Sequence, residues 1–233
     1  MLECKNITKK YGSKTAVDSI SLKIEPGRIY AFLGPNGSGK TTLMKMAIGL
    51  VKPTSGNFYY NDSPIGQNSR SEIAYMSTEP YFYPWMTAKD VGDYYQDFFS
   101  DFSMKKYEYL LERMHLEKSM KTKSLSSGMM AKLKIAVTMA RKAKVYLLDE
   151  PLNGIDLLAR DEIMTSIIEA ADSDTAIALS SHLVDELEKI IDTAYFIKDG
   201  HLVKTSQVEE LRISEGKSIV DEYREIYGQG GIM

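Results

Sequence analysis

Gly34-Pro35-Asn36-Gly37-Ser38-Gly39-Lys40-Thr41 spells a complete G-x-x-x-x-G-K-[ST] loop, and its residue types suit a chain of phosphates. The glycines free successive backbone N–H groups to turn onto one anion. Lys40 adds a mobile ammonium that reaches the outer phosphates, and Thr41 offers its hydroxyl to Mg2+. A glycine-rich loop can also be a plain connection, so context decides. Residues 29–33 read as a buried strand, and from Thr42 to residue 50 the pattern is a helix whose N-terminus faces the phosphates. That order of strand, loop and helix is what binding a nucleotide triphosphate requires. Gly216-Lys217-Ser218 repeats the G-K-S ending, but Leu211 stands where its first glycine belongs and no apolar strand runs into it. It is set aside.

A second constellation lies downstream. Val145-Tyr146-Leu147-Leu148-Asp149-Glu150 is an apolar strand that ends in two carboxylates. Asp149 at the strand end can hold the metal shell opposite Thr41, and Glu150 one residue on can polarise the water that attacks a γ-phosphate. The bland reading of such a pair is a solvated strand terminus. Its position after a complete phosphate loop favours chemistry.

The elements that must position these groups follow from pattern. Short β-type runs over residues 2–8, 17–24, 29–33 and 56–60, the last after the turn Lys52-Pro53-Thr54-Ser55, form a β-rich rim around the loop. From Pro84 the pattern turns helical, with Thr87 as N-cap, Asp90 three residues on, apolar positions through Phe99 and a further helix over 107–116. Two β-type runs, 145–148 and 176–180, flank a helical stretch over 157–171. Strands alternating with helices predict a parallel sheet with its ligand at the carboxyl ends of the strands. Residues 207–227 read as two short amphipathic helices, and Gly228-Gln229-Gly230-Gly231 as a frayed end.

Composition bounds the rest. With 233 residues and 43% hydrophobic content the chain fits one large domain over 1–233, with a helical lobe inserted at about 84–140 and a helical extension over about 206–233. Lys and Arg number 29 against 32 Asp and Glu, and the net charge of -3 gives no long-range attraction to nucleic acid or anionic lipid. The expectation is no nucleic-acid partner and no direct membrane insertion, since no apolar run approaches the roughly 18 residues of a spanning helix. Met-Leu-Glu-Cys-Lys-Asn is no signal peptide, so a cytoplasmic chain is expected. The single Cys4 fits a reducing compartment and packing near the N-terminus. The 13 Met residues read as core filler.

Leu125-Ser126-Ser127-Gly128-Met129 stands before a helical run over 130–142, about twenty residues ahead of Asp149. With it the chain resembles the nucleotide-binding subunit of an ABC transporter. In that family the motif is most often L-S-G-G-Q, so Ser126 and Gly128 match while Ser127 and Met129 depart. The resemblance implies a P-loop NTPase fold of α/β class, with a mixed, mainly parallel core sheet, an N-terminal antiparallel β subdomain and an inserted α-helical subdomain. It implies a head-to-tail dimer, with a second copy or a homologous cassette, in which the 126–129 motif closes over ATP held by the partner's phosphate loop. The Ser126 side chain, the N–H groups of Ser127 and Gly128 and the following helix N-terminus are suited to a γ-phosphate.

Other family elements match in order. Tyr11, in Lys10-Tyr11-Gly12, matches the aromatic residue that stacks on adenine, a surface tyrosine being the lesser alternative. Leu152-Asn153-Gly154-Ile155-Asp156 matches a loop that crosses the dimer interface, and His182 matches the histidine that contacts the γ-phosphate. His115 and His201 receive no role. Where the family usually carries a Gln after the strand over 73–76, this chain has Thr78, whose shorter side chain can still reach a metal-bound water. The resemblance covers residues 1 to about 205. It implies ATP and Mg2+ as cofactors, a separate transmembrane permease as partner and a peripheral place on the inner face of the cell membrane. The pattern is similar to bacterial exporters with a separate membrane subunit, including those linked to antibiotic or peptide export. The alternative function is a soluble ABC-type ATPase acting on ribosomes or DNA. Tyr81-Phe82-Tyr83-Pro84-Trp85-Met86 reads either as core or as a groove for a short helix of the membrane partner. In the groove reading Trp85 is the floor and Tyr81 the exposed anchor.

Overall fold

Tyr30 and Phe32 face one apolar core while Ile29, Ala31 and Leu33 face another, the period-two pattern of a central strand covered on both sides. The computed structural model describes residues 1–79 and 81–228, without the side chains of Gln67, Asn68 and Leu158. The elements are β1 (Leu2–Tyr11), β2 (Lys14–Ile24), β3 (Arg28–Leu33), α1 (Lys40–Ala47), β4 (Ser55–Tyr60), β5 (Ser63–Pro64), α2 (Gln67–Glu72), β6 (Ile73–Met76), α3 (Ala88–Phe98), α4 (Met104–Arg113) and α5 (Ser127–Met139). They continue as β7 (Val145–Asp149), α6 (Leu157–Ala170), β8 (Ala176–Ser181), α7 (Val184–Leu187), β9 (Thr193–Lys198), β10 (His201–Gln207), α8 (Val208–Glu215) and α9 (Ile219–Tyr227).

The strands form two sheets. The larger runs β10-β9-β3-β8-β7-β6, parallel except for β10 at its edge, and the smaller is the antiparallel β2-β1-β4-β5. One core lies between the sheets, where Leu43, Met44 and Met46 of α1 meet Cys4, Ile7 and Phe58 of the small sheet. The other lies on the opposite face and gathers α3 through α6. Cys4 is buried in the core between the sheets, its thiol donating to the Ile20 carbonyl at 3.6 Å, and burial pushes its pKa up to about 12.

Several boundaries differ from expectation for local reasons. α1 begins at Lys40 because Gly39, at φ +111, turns the chain directly into the helix. α4 and α5 each begin three residues earlier than their patterns suggested, because Ser103 and Ser126 cap them by accepting the N–H groups of Lys106 and Met129. The hairpin of β9 and β10 has no counterpart in the sequence reading. It turns on Asp199 and Gly200, both at positive φ, the type I′ geometry that this dipeptide favours. The frayed end expected at 228–231 lies, from Gln229 on, outside the described residues. Gly216-Lys217-Ser218 ends α8, where Lys217 pairs with Glu225, so the second G-K-S has no phosphate-binding geometry.

The helices α3, α4 and α5 close around Tyr107, which is fully buried and donates to the Ala88 carbonyl at 2.6 Å. The entry to α3 is the expected capping box: Thr87 accepts from the Asp90 N–H at 3.1 Å, and Asp90 accepts from the Thr87 N–H at 2.7 Å. Thr87→Ala is expected to cost about 1 kcal/mol. In a chain of this size that lowers the melting temperature by roughly 2–4 °C, measured by calorimetry.

Candidate functional site

The phosphate loop leaves β3 at a point where only glycine fits. Gly34 has φ +154, and a Cβ there would stand 2.2 Å from the Ile197 carbonyl oxygen. Gly39 is similar, with the Ala16 carbonyl at 2.5 Å from a notional Cβ. The loop therefore nests against β2 and β9 with its backbone close to both. No side chain caps the N-terminus of α1, so its first-turn N–H groups are left to a ligand. The Ser38 hydroxyl oxygen is buried without a hydrogen-bond partner, and Gly37 is open on the side a Cβ would occupy. An orphaned hydroxyl and an uncapped helix end are the features an anion completes.

Lys40 is buried and turned onto the loop, donating to the Gly34 carbonyl at 2.7 Å and the Pro35 carbonyl at 3.1 Å. Burial lowers its pKa, opposed by the charges of Glu150 and Asp149. Its Nζ lies 3.7 Å from Glu150 Oε1.

Asp149 ends β7 with no solvent exposure. β8, the strand between β7 and β3, supplies its partner: Asp149 and Ser180 are in register, and the Ser180 hydroxyl donates to Asp149 Oδ1 at 2.7 Å. Thr41 reaches the same oxygen from the start of α1 at 3.0 Å, and Tyr75 of β6 donates to Oδ2 at 3.4 Å. Glu150 follows in the left-handed region, φ +49, which turns its side chain away from the strand path. Its N–H donates to the Ser180 oxygen at 2.9 Å, and His182 Nδ1 donates to its Oε2 at 3.0 Å. Glu150 Oε1 is buried without a hydrogen-bond partner.

A cavity of about 490 Å3 opens beside Thr41 and Glu150, lined by residues 36–42 and by Tyr11, Thr78 and Glu150. Tyr11 is half exposed, with the Lys9 ammonium 4.9 Å from its ring centre. Ser126, Ser127, Gly128 and Met129 do not line this cavity. They form the cap and first turn of α5, where Ser126 and Ser127 are exposed. Ser127 donates to the Gly154 carbonyl at 2.9 Å, joining α5 to the loop after Glu150.

Three contributors escaped the sequence reading. Ser180 was signalled by two serines closing an apolar strand just ahead of His182. Lys134 was signalled by a charge among Leu133, Ile135, Ala136 and Val137, all buried. Tyr227 carried no signal: it reaches the site from α9, its hydroxyl 3.1 Å from the Leu33 carbonyl and 3.0 Å from that of Ile197.

The aromatic segment corrects one expectation. Trp85 is 64% exposed and stacks on Tyr83 with ring centres 5.8 Å apart. Tyr81 is the deeper residue: its hydroxyl is buried, and desolvation raises its pKa. The roles of floor and anchor are thus exchanged. The bend at Pro84 carries Trp85 outward, while Tyr81 packs edge-on against Phe82 beneath the rim. The hollow between this segment and α3 measures about 300 Å3 and is lined by Tyr81, Phe82, Met86, Tyr94, Tyr95 and Phe98.

The ABC transporter family model matches residues 17–153. The bacitracin transport ATP-binding protein BcrA of Enterococcus faecalis is 33% identical over 217 residues, spanning 91% of this chain and 70% of its own length. Among solved structures, an ATP-binding subunit of an ABC transporter superposes with a TM-score of 0.86 at 24% identity, covering 97% of this chain and 99% of its own. The dimeric structure of MJ0796, a bacterial ABC transporter cassette, gives a TM-score of 0.79 at 21% identity, covering 89% and 98%.

Ser180 has one oxygen serving two buried neighbours, so Ser180→Ala leaves the Asp149 carboxylate short of a donor. The expected loss is about 1–3 kcal/mol of stability. It is checked as a lower denaturant midpoint at unchanged slope.

Proposed function

We propose, from the premise that this chain belongs to the ABC transporter family as one of its ATPases, that two copies close head-to-tail around two ATP molecules and drive export through a separate membrane subunit. The observation that carries the reading is the convergence of Lys40, Thr41 and Glu150 on one cavity, with Asp149 bonded to Thr41 and the buried Ser38 hydroxyl left without a hydrogen-bond partner.

The groups divide the work. The first turn of α1 and the loop N–H groups take the phosphates, and Lys40 exchanges its two carbonyl acceptors for phosphate oxygens, a stronger charge-assisted pairing. Thr41 and Asp149 would hold Mg2+. Among the described residues no group of three or more His, Cys, Asp or Glu side chains could hold a metal ion, and a hydroxyl with a single carboxylate fits an ion that takes its remaining ligands from phosphate and water. When bound, the ion neutralises charge on the outer phosphate oxygens. Glu150 accepts a proton from the attacking water at Oε1, which the Lys40 ammonium leaves when it turns to the phosphates, while His182 steadies Oε2 and faces the γ-phosphate. Thr78 reaches a metal-bound water from the opposite rim, and Tyr11 stacks on adenine. In the dimer, Ser126, the N–H groups of Ser127 and Gly128, and Met129 cover the γ-phosphate held by the second copy.

A transport role is supported by the name of the bacitracin relative and by the aromatic hollow, which suits a short amphipathic helix of a membrane subunit. Among the described residues no helix is long and apolar enough to cross a membrane, so the spanning path is assigned to that subunit and this chain to the cytoplasmic face.

Glu150→Gln should keep ATP binding and lower turnover by roughly 10²- to 10⁴-fold, the scale for losing a positioned general base. With hydrolysis stopped, Mg-ATP should shift the variant to double mass in gel filtration. A variant that hydrolyses ATP like the parent chain contradicts the role of Glu150.

The groove gives a second test. Trp85→Ala should melt within about 0.5 kcal/mol of the parent and keep basal ATPase activity, yet lose co-purification with a polytopic membrane protein. Tyr81→Ala should cost about 3 kcal/mol of stability. Capture of ribosomal proteins or DNA in place of a membrane protein would favour the soluble alternative.

A further inference from the structure

Lys134 has no task in the mechanism above, yet it occupies a demanding place. It is 5% exposed, and burying an ammonium is unfavourable unless its donors find acceptors. Its three donors are matched by three successive carbonyls: Ser77 at 3.1 Å, Thr78 at 2.8 Å and Glu79 at 2.9 Å. The same nitrogen stands 5.3 Å from the centre of the Tyr81 ring.

Three parts of the molecule therefore meet at one atom. The first is α5, whose opening turn carries Ser126 to Met129. The second is the loop that brings Thr78 to the rim of the phosphate cavity. The third is Tyr81, which lines the aromatic hollow. Glu79 adds a second hold on the loop, pairing with Lys45 of α1 at 2.9 Å, so the segment is pinned between the helix that follows the phosphate loop and the helix that carries the 126–129 motif.

We propose that Lys134 is a positioning residue that sets the place of Thr78 at the ATP cavity according to the position of α5 and the packing of Tyr81. A shift of α5 moves the ammonium, and the three carbonyls follow because no neighbouring donor replaces it for all of them at once. Displacement of Tyr81 by a partner seated in the hollow acts on the same atom from the other side. The inference rests on the ATPase reading of the cavity and adds to it a connection between the hollow and the rim.

The test compares the parent chain with Lys134→Met, which keeps the stem and removes the donors, and Lys134→Arg, which keeps charge and donors. Lys134→Met should bind a fluorescent ATP analogue within about twofold of the parent and lose about 10- to 100-fold in kcat, a misplacement effect with little change in ground-state binding. Amide exchange at Ser77, Thr78 and Glu79 should rise while β3 and β7 keep their protection, and Lys134→Arg should recover most of kcat. Parent-like turnover or unchanged loop exchange in Lys134→Met overturns the proposal. So does a Lys134→Met chain that fails to fold, since the tie is then structural alone. A parent chain that hydrolyses no Mg-ATP overturns the ATPase reading instead, which the exchange measurement does not depend on.

Discussion

A carboxylate with no access to water must be satisfied by its neighbours, and the rest of the site is arranged around that need. Asp149 is held by hydroxyls from three directions, Ser180 beside it in the sheet, Thr41 from the helix after the phosphate loop and Tyr75 from the next strand. Removing any one leaves a buried negative charge less compensated. The spacing is set by the sheet: β8 lies between β3 and β7, so the phosphate loop and the carboxylates sit two strands apart, roughly 9–10 Å by ordinary strand spacing. That gap admits phosphates and a metal ion. Parallel pairing puts both strand ends on the same edge, and without it the loop and the carboxylates would not meet.

The two cores serve different ends of this arrangement. The one between the sheets clamps α1, which fixes the direction in which the loop N–H groups point. The one on the other face carries α3 to α5, and contact with the first passes through the central sheet and a few polar ties, of which Lys134 and the Ser127–Gly154 bond are the clearest. The 126–129 motif is thus borne on a group of helices packed separately from the phosphate loop. α9 acts from behind the site: Glu222 is buried against Lys204 and Ser206, and Tyr227 lies at the base of Gly34.

Much of this was legible in the sequence because chemistry constrains residue types tightly at short range. The phosphate loop, the apolar strand ending in Asp149 and Glu150 and the capping box at Thr87 are each contained within a few residues, and each stands where its spacing placed it. Features that depend on distant parts of the chain were not legible. Ser180 matters because β8 pairs between β3 and β7, which no local pattern states. Lys134 matters because the carbonyls of Ser77, Thr78 and Glu79, far off in sequence, lie over it. The relative depths of Trp85 and Tyr81 were not legible because composition marks an aromatic cluster but not which way a bend at Pro84 turns it. The hairpin at Asp199 and Gly200 is a different case, since its turn dipeptide is itself a local signal.

Cys4 extends the use of the antiparallel sheet beyond architecture. It is the only cysteine in the chain, it lies at the opposite side of α1 from the helical group, and its raised pKa leaves almost no thiolate at neutral pH while the sheet is closed. A thiol-reactive dye therefore labels the protein only during moments when β1 and β2 separate. The labelling rate is a clock for local opening of that sheet, read at one atom and in the untouched wild-type chain, and the change in that rate with added ATP reports how far ligand at the phosphate loop stiffens the strands that back it.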